Sequence, residues 1–267
     1  MDSRPIGIFD SGLGGLTVVR QIKKRLPTES IVYLGDTARV PYGTRSKETV
    51  TKFAVEDVNF LLKKRVKCIV IACNTASAYS SAVIKRKVSI PVFDAITPAV
   101  KEVAKSGFKK VAVIGTRGTI GSHAYNKALT RLDKKMKVIE KACPLFVPAI
   151  EENEMGGRLI HLLIDKYLSP LRKTKIDALV LGCTHYPIIK KQISQFMGEK
   201  VELVDPAEEM TARLKDYLKE NEMMADKSSQ ATSEYYVTDL TDRFTKVAEM
   251  FLGKEIDGKI KKISFEN

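Results

Sequence analysis

Two stretches of this chain repeat each other at a spacing that a single sheet does not explain. "IVIACNTAS" (Ile69 to Ser77) and "LVLGCTHYP" (Leu179 to Pro187) each run a short apolar segment into a cysteine followed by polar residues. Their cysteines, Cys73 and Cys183, stand 110 positions apart. Other pairs keep nearly the same distance. "IGIFDSGLGG" at Ile6 resembles "VAVIGTRGTI" at Val111, 105 positions on, and "VPYG" with Pro41 resembles "VPAI" with Pro148, 107 on. "FDAITPA" at Asp94 echoes "LVDPAEE" at Asp205 with a similar offset. A slow drift of this kind is what small loop insertions leave in a duplicated unit. The chain is thereby constrained to two similar lobes.

The runs "IGIF", "IVYL", "CIVIA", "VAVIG", "KVIE", "ALVLG" and "VELV" alternate with helical patterns, which argues for α/β layering on mostly parallel sheets. Between Ser46 and Arg65, for example, Val50, Ala54, Val58 and Leu61 recur at helical spacing, with Glu48 early and "KKR" late. The expected architecture is two doubly wound α/β lobes related by a pseudo-twofold axis, with the site in the cleft between them. "KENEMMADKSSQATSE", Lys219 to Glu234, is polar and aperiodic and reads as a loop. "YYVT", a helix around Asp242 to Phe251, and "IKKISF" then resume α/β order. The expected division is a discontinuous first lobe, residues 1–96 plus 209–267, and a second lobe over residues 97–208.

Composition excludes several functional classes. The net charge is +13, but the basic residues fall in short groups such as "KRK" (Lys85 to Lys87) and "KKMK" (Lys134 to Lys137), mainly near helix ends where cations suit the macrodipole. No arginine-rich helix or aromatic-interleaved basic motif is present, so a solvated basic surface is the better reading than a nucleic-acid site. The same charge favours a small anionic substrate. Cys68, Cys73, Cys143 and Cys183 form no CxxC pair, which speaks against zinc and against a disulfide framework. The first apolar run, Ile6 to Phe9, is too short for a signal-peptide core, and no stretch is long enough to span a membrane. The expectation is a cytoplasmic protein with no membrane contact.

In open α/β sheets ligands bind at the carboxyl ends of the strands. From the first repeat those ends present Asp10 and Ser11, then Tyr42 and Gly43, then Cys73, Asn74 and Thr75. From the second they present Thr116 to Thr119, Glu151 and Glu152, then Cys183, Thr184 and His185. "DSGLGG", Asp10 to Gly15, matches neither nucleotide-loop spacing and reads as a tight turn that lets backbone approach a ligand. Cys73 and Cys183 each end a strand and are expected to begin a helix, whose N-terminus favours the thiolate. Asp10 and His185 are the proton-handling neighbours, one from each repeat. Ser11, Asn74, Thr75 and Thr184 suit an α-carboxylate and an α-ammonium.

A thiol hydrolase would leave one of these cysteines idle, and a redox pair would need the sulfurs within bonding distance. A binding protein has no use for paired thiols. A racemase needs the observed symmetry: one thiolate removes the α-proton from one face while the opposite thiol protonates the other.

With these residues assembled, the chain resembles the cofactor-independent glutamate racemases. The matching motifs are "FDSGLGGLTV", "GDTARVPYG", "ACNTASA", "CPLFVP" and "GCTHYP", in order from Phe9 to Pro187, with "YYVTDLTDRFTKVAEMFLG" near the C-terminus. The resemblance implies an isomerase that uses no cofactor and no metal. It implies that Cys73 and Cys183 are the two bases, with Asp10 assisting Cys73 and His185 assisting Cys183. The family's acidic residue falls on Glu151 or Glu152, with Glu151 favoured by the motif. Ser11, Tyr42, Gly43, Asn74, Thr75, Thr119 and Thr184 would hold the substrate. The product would be D-glutamate for peptidoglycan, and the assembly a homodimer. Aspartate and hydantoin racemases share the paired cysteines; the intact "GCTHYP" points to glutamate.

Overall fold

In the computed structural model, which describes residues 1–226, 228, 230–241, 244–253, 255–256 and 258–265, the first repeat alternates strictly. It runs β1 (Ile6–Asp10), α1 (Leu16–Arg25), β2 (Ile31–Gly35), α2 (Lys47–Lys63), β3 (Cys68–Ile71), α3 (Asn74–Lys87), β4 (Val92–Asp94) and α4 (Ile96–Lys105). The second runs β5 (Lys110–Gly115), α5 (Arg117–Gly121), α6 (Ala124–Leu132), β6 (Lys137–Ala142), α7 (Phe146–Glu151) and α8 (Arg158–Lys173). It continues with β7 (Ala178–Gly182), α9 (Lys190–Met197), β8 (Glu202–Val204) and α10 (Pro206–Glu220). The chain then adds β9 (Ser233–Val237), α11 (Phe244–Leu252) and β10 (Ile260–Lys262).

Two parallel sheets result, with orders β10-β9-β2-β1-β3-β4 and β6-β5-β7-β8. Matching β1 with β5, β2 with β6, β3 with β7 and β4 with β8 turns the last four strands of the first order into the second, with β9 and β10 added at the first sheet's edge. This is the two-lobed α/β fold with pseudo-twofold symmetry that the duplication implies. The registers agree as well: Phe9 pairs with Ile71 in the first sheet, and its counterpart Ile114 with Leu181 in the second. The cysteine after each central strand pair therefore arrives at an equivalent sheet end.

Local chemistry explains the elements. Ser46 caps α2, its Oγ accepting from the Thr49 N–H at 3.2 Å, and the helix buries Val50, Ala54, Val58 and Leu61 against the first sheet. β1, β3 and β7 are buried along their whole length, as strands covered on both faces must be. One apolar cluster continues from the first sheet through Leu16 and Ile22 of α1 and Met210 and Leu214 of α10 into the second sheet. It ties the lobes together behind the cleft.

The sequence pattern departs from the structure at two places. β4 is absent from the apolar runs because it is only three residues long and follows Pro91. The polar segment over Lys219 to Glu234 is shorter than expected, since Lys219 and Glu220 finish α10 and Ser233 and Glu234 open β9. Its Lys227 and Ser229, and Asp242 at the expected start of the last helix, lie outside the described residues. No helix among the described residues is long and apolar enough to cross a membrane.

Candidate active site

Cys73 stands two residues beyond β3 and serves as the N-cap of α3, its sulfur accepting from the Ala76 N–H at 3.4 Å. Its thiol donates toward Ser11 Oγ, 3.6 Å away. Cys183 follows β7, with its sulfur 3.8 Å from His185 Nδ1. The cysteines are 5% and 6% exposed, and both line one cavity between the lobes, of about 30 Å³. Ser11, Tyr42, Gly43, Asn74, Thr75, Thr119, Thr184 and His185 line the same cavity. Its volume is that of about one water molecule, so the lobes are closed on it.

The expected helix N-terminus behind each thiol is found on one side. Cys183 leads through His185 into a 3₁₀ turn, Tyr186–Ile189, and α9 begins only at Lys190. Pro187 near the start of that turn brings no N–H, so no row of helical donors faces the sulfur. Nor does the α3 terminus make Cys73 a thiolate. Burial, with Asp10 adding to it, pushes the thiol up to about 12 against the Ala76 N–H and Ser11. Desolvation outweighs the cap, and Cys73 keeps its proton.

Asp10 is wholly buried, which raises its pKa; the charge of His185 and the N–H groups of Gly15, Gly12 and Ser11 oppose the rise. Its Oδ2 accepts from Gly12 N at 3.2 Å and its Oδ1 from the Thr184 hydroxyl at 3.5 Å. Asp10 thus acts on Cys73 through charge, while its Oδ1 contact reaches the opposite lobe. On that lobe, His185 Nε2 lies 2.8 Å from Glu151 Oε1. Burial works against the imidazolium, but Cys183 and Glu151 outweigh it and hold the ring up to about 10. Of the doublet, Glu151, the last residue of α7, meets His185, and both Glu151 and Glu152 border the neighbouring groove with Gly12 and Val40. α7 is held there by Phe146, which packs edge-on to Tyr186 at 5.3 Å. Phe251 of α11 covers the His185 ring edge-on at 5.0 Å.

Hydroxyls from both lobes meet at the cavity wall. Thr75 Oγ1 lies 2.9 Å from Thr116 Oγ1 and 3.0 Å from Thr119 Oγ1. Tyr125 of α6 donates to Asn74 Oδ1 at 2.7 Å. Tyr42 and Gly43 both line the cavity. The Tyr42 hydroxyl is occupied by buried Asp36 and Asp57. The glycine-rich turn is explained by crowding: a Cβ on Gly14 would stand 2.3 Å from Thr184 Oγ1 and 2.4 Å from His185 Nδ1.

Thr116 was readable as the counterpart of Ser11 at the 105-residue offset. Tyr125 and Phe251 carry no such signal, since each looks like an ordinary core position of an amphipathic helix. The two lobes are not chemically equivalent. Where the first has Asp10 the second has Gly115, and where the second has His185 the first has Thr75. Each thiol therefore has a different neighbour.

The sequence model of the family described as Asp/Glu/Hydantoin racemase matches residues 7–214. The glutamate racemase of Geobacter metallireducens is 45% identical over 100% of this chain and 98% of its own. That of Aquifex aeolicus is 45% identical over 96% of both. The solved glutamate racemase of Francisella tularensis, in complex with D-glutamate, superposes with a TM-score of 0.93 at 41% identity, covering 99% of this chain and 98% of that one. An aspartate racemase of Picrophilus torridus shares the fold at 20% identity and a TM-score of 0.62, covering 81% of this chain and 94% of its own.

Proposed function

The chain belongs to the Asp/Glu/hydantoin racemase family, and we propose that it interconverts L- and D-glutamate by passing the α-proton between two thiols. The observation that carries this reading is the equivalence of Cys73 and Cys183: one per lobe, each just after a central strand, both on one cavity. Relatives named glutamate racemases, and a neighbour that holds D-glutamate, support glutamate as the substrate.

One cysteine, as thiolate, takes the α-proton: the Cα–H bond breaks, S–H forms, and the electron pair stays on the carbon beside the carboxylate. The opposite thiol then breaks its S–H bond to protonate the other face. In the reverse direction the roles exchange. A buried Cys73 that holds its proton near pKa 12 is suited to the donor role, and once ionised is a strong base. The arriving α-ammonium favours that ionisation by placing a cation beside the sulfur. His185, held by Glu151, receives or returns the Cys183 proton; Asp10 plays the charged partner on the Cys73 side. Ser11, Asn74, Thr75, Thr119 and Thr184, with the Tyr42–Gly43 backbone, hold the carboxylates and the ammonium. No cofactor is required by this chemistry.

A site this closed needs the lobes to part before glutamate enters. The enzyme works as a homodimer in the cytoplasm, and its product supplies peptidoglycan synthesis. Proton NMR of L-glutamate in deuterated water, paired with circular dichroism, tests the activity. Loss of the α-proton signal together with decay of optical activity is expected, with L-aspartate alongside unchanged. Glutamate left untouched would overturn the proposal.

A further inference from the structure

Tyr42 reaches in two directions. It lines the cavity together with Gly43, which is so close to the second lobe that a Cβ there would stand 2.6 Å from Thr116 Cβ. Its hydroxyl is wholly buried between two carboxylates, in hydrogen-bond contact with Asp36 Oδ2 and 2.9 Å from Asp57 Oδ2. Both aspartates are 0% exposed.

A phenol has one proton and cannot donate to both. The charge count agrees. Arg39 faces Asp36, Asp57 and the partly exposed Glu56, and it is fixed between the rings of Phe53 and Phe265 at 4.0 and 4.5 Å. One guanidinium cannot offset two fully buried carboxylates and Glu56 as well. Asp36 has the contacts of an anion: Arg39 Nε donates to Oδ2 at 2.7 Å, the Tyr42 hydroxyl donates to the same oxygen, and Thr238 donates to Oδ1 at 2.9 Å. Asp57 has a long contact to Arg39 at 3.4 Å and the Tyr42 oxygen.

We infer that Asp57 carries a proton in the folded protein and donates it to Tyr42 Oη, so that a directional chain Asp57–Tyr42–Asp36 positions the Tyr42–Gly43 backbone at the substrate cavity. Burial raises Asp57 far above the carboxylate range, with Asp36 and Glu56 adding and Arg39 and the Tyr42 hydroxyl opposing, which agrees with the geometry. Tyr33 is the further titratable group whose charge interacts with Asp57. The chain ends on the catalytic strand itself, because the Asp36 N–H donates to the Asp10 carbonyl at 3.0 Å. Asp57 is a positioning residue: it touches no substrate and acts through Tyr42. Its kinetic consequences rest on the proposed glutamate racemisation and on the backbone of residues 42 and 43 meeting the substrate.

Two measurements test this. Infrared difference spectra of wild type against Asp57→Asn at neutral pH should contain a protonated-carboxyl band that only the wild type supplies. Steady-state racemisation should show Asp57→Leu raising KM about 10-fold with kcat nearly held, and Asp57→Asn, which restores a donor to Tyr42, returning KM toward wild type. The wild-type KM should also begin to rise at a lower alkaline pH than that of Asp57→Asn, which keeps only the rise that the substrate ammonium and His185 impose on both proteins. Absence of the carboxyl band overturns the inference, as does a folded Asp57→Leu protein with unchanged KM, or an asparagine variant no better than leucine. If the leucine variant fails to fold, the infrared comparison still decides. That comparison needs no turnover, so a wild type inactive on glutamate would sink the proposed activity and leave the proton on Asp57 separately tested.

Discussion

His185 and Glu151 meet at 2.8 Å through Nε2 and Oε1, and this contact decides which ring nitrogen faces Cys183. A carboxylate acceptor keeps the proton on Nε2, leaving Nδ1 to take or give the proton of the sulfur 3.8 Å away. Glu151→Gln removes the anion that helps hold the imidazolium. His185 is charged below about pH 10 in the intact site, so the alkaline limb of the rate profile should move to lower pH, with kcat falling by about 10-fold. Glu152→Gln should shift that limb far less. Equal shifts from both substitutions would remove Glu151 from this role.

The paired thiols predict a divided phenotype. Cys73→Ala and Cys183→Ala should each lower racemisation by about 1,000-fold or more. Each variant should still exchange the α-proton of one enantiomer with deuterated solvent, and the favoured enantiomer should differ between them. Chiral chromatography with NMR of the recovered glutamate reads both quantities. A single variant that still racemises would contradict the two-base reading.

Gly14 lies where the two lobes touch. A methyl group there would overlap Thr184 Oγ1 and His185 Nδ1 at 2.3 and 2.4 Å. Gly14→Ala should therefore keep normal far-ultraviolet circular dichroism yet lose about 100-fold in kcat/KM through misplaced groups.

The Tyr125 hydroxyl anchors the Asn74 carboxamide across the lobes at 2.7 Å. Tyr125→Phe should cost about 1 kcal/mol of stability, lower Tm by about 3 °C, and raise KM as the amide loses its orientation. Calorimetry with steady-state kinetics would check both.

Asp94 and Asp205, counterparts in the two repeats, have opposite electrostatics. Burial raises both, but Lys85 at 2.6 Å outweighs it at Asp94, whereas Asp205 rises to about 6. An acid whose folded pKa lies above its unfolded value loses stability as pH rises from about 3.8 through about 6. Asp205→Asn keeps a cap for the Ala207 N–H and should add on the order of 2 kcal/mol at pH 7. The gain should disappear below about pH 4. Thermal melts across that range would show it; a gain that persists in acid would mean that ionisation is not its source.

Much of this arrangement was legible in the sequence because duplication makes the chain its own comparison. The offset between Cys73 and Cys183 identified the paired strand ends, and apolar alternation gave the layers. Helix N-termini were the less reliable guide. The CTHYP run was read as a helix start, but Pro187 near the head of a 3₁₀ turn delays α9, and burial reverses the expected effect on Cys73. Tyr42 shows a different limit. The motif marks the position, but the burial of its hydroxyl depends on Asp36 and Asp57, and a carboxylate 15 positions away leaves no pattern that sequence periodicity could reveal.

The chain crosses between the lobes at two points, from β4 into α4 and from β8 into α10, and the two crossing helices pack against each other. Two tethers side by side remove most of the ways in which one lobe could move against the other. Translation and twisting are resisted, leaving a swing about the line through the tethers, much as two pins on one edge confine a door. In such a swing a single angle would set the separation of the two sulfurs, the fit of Gly14 against His185 and the contact between the threonine hydroxyls. Admission of the substrate and alignment of the acid and base become the same coordinate.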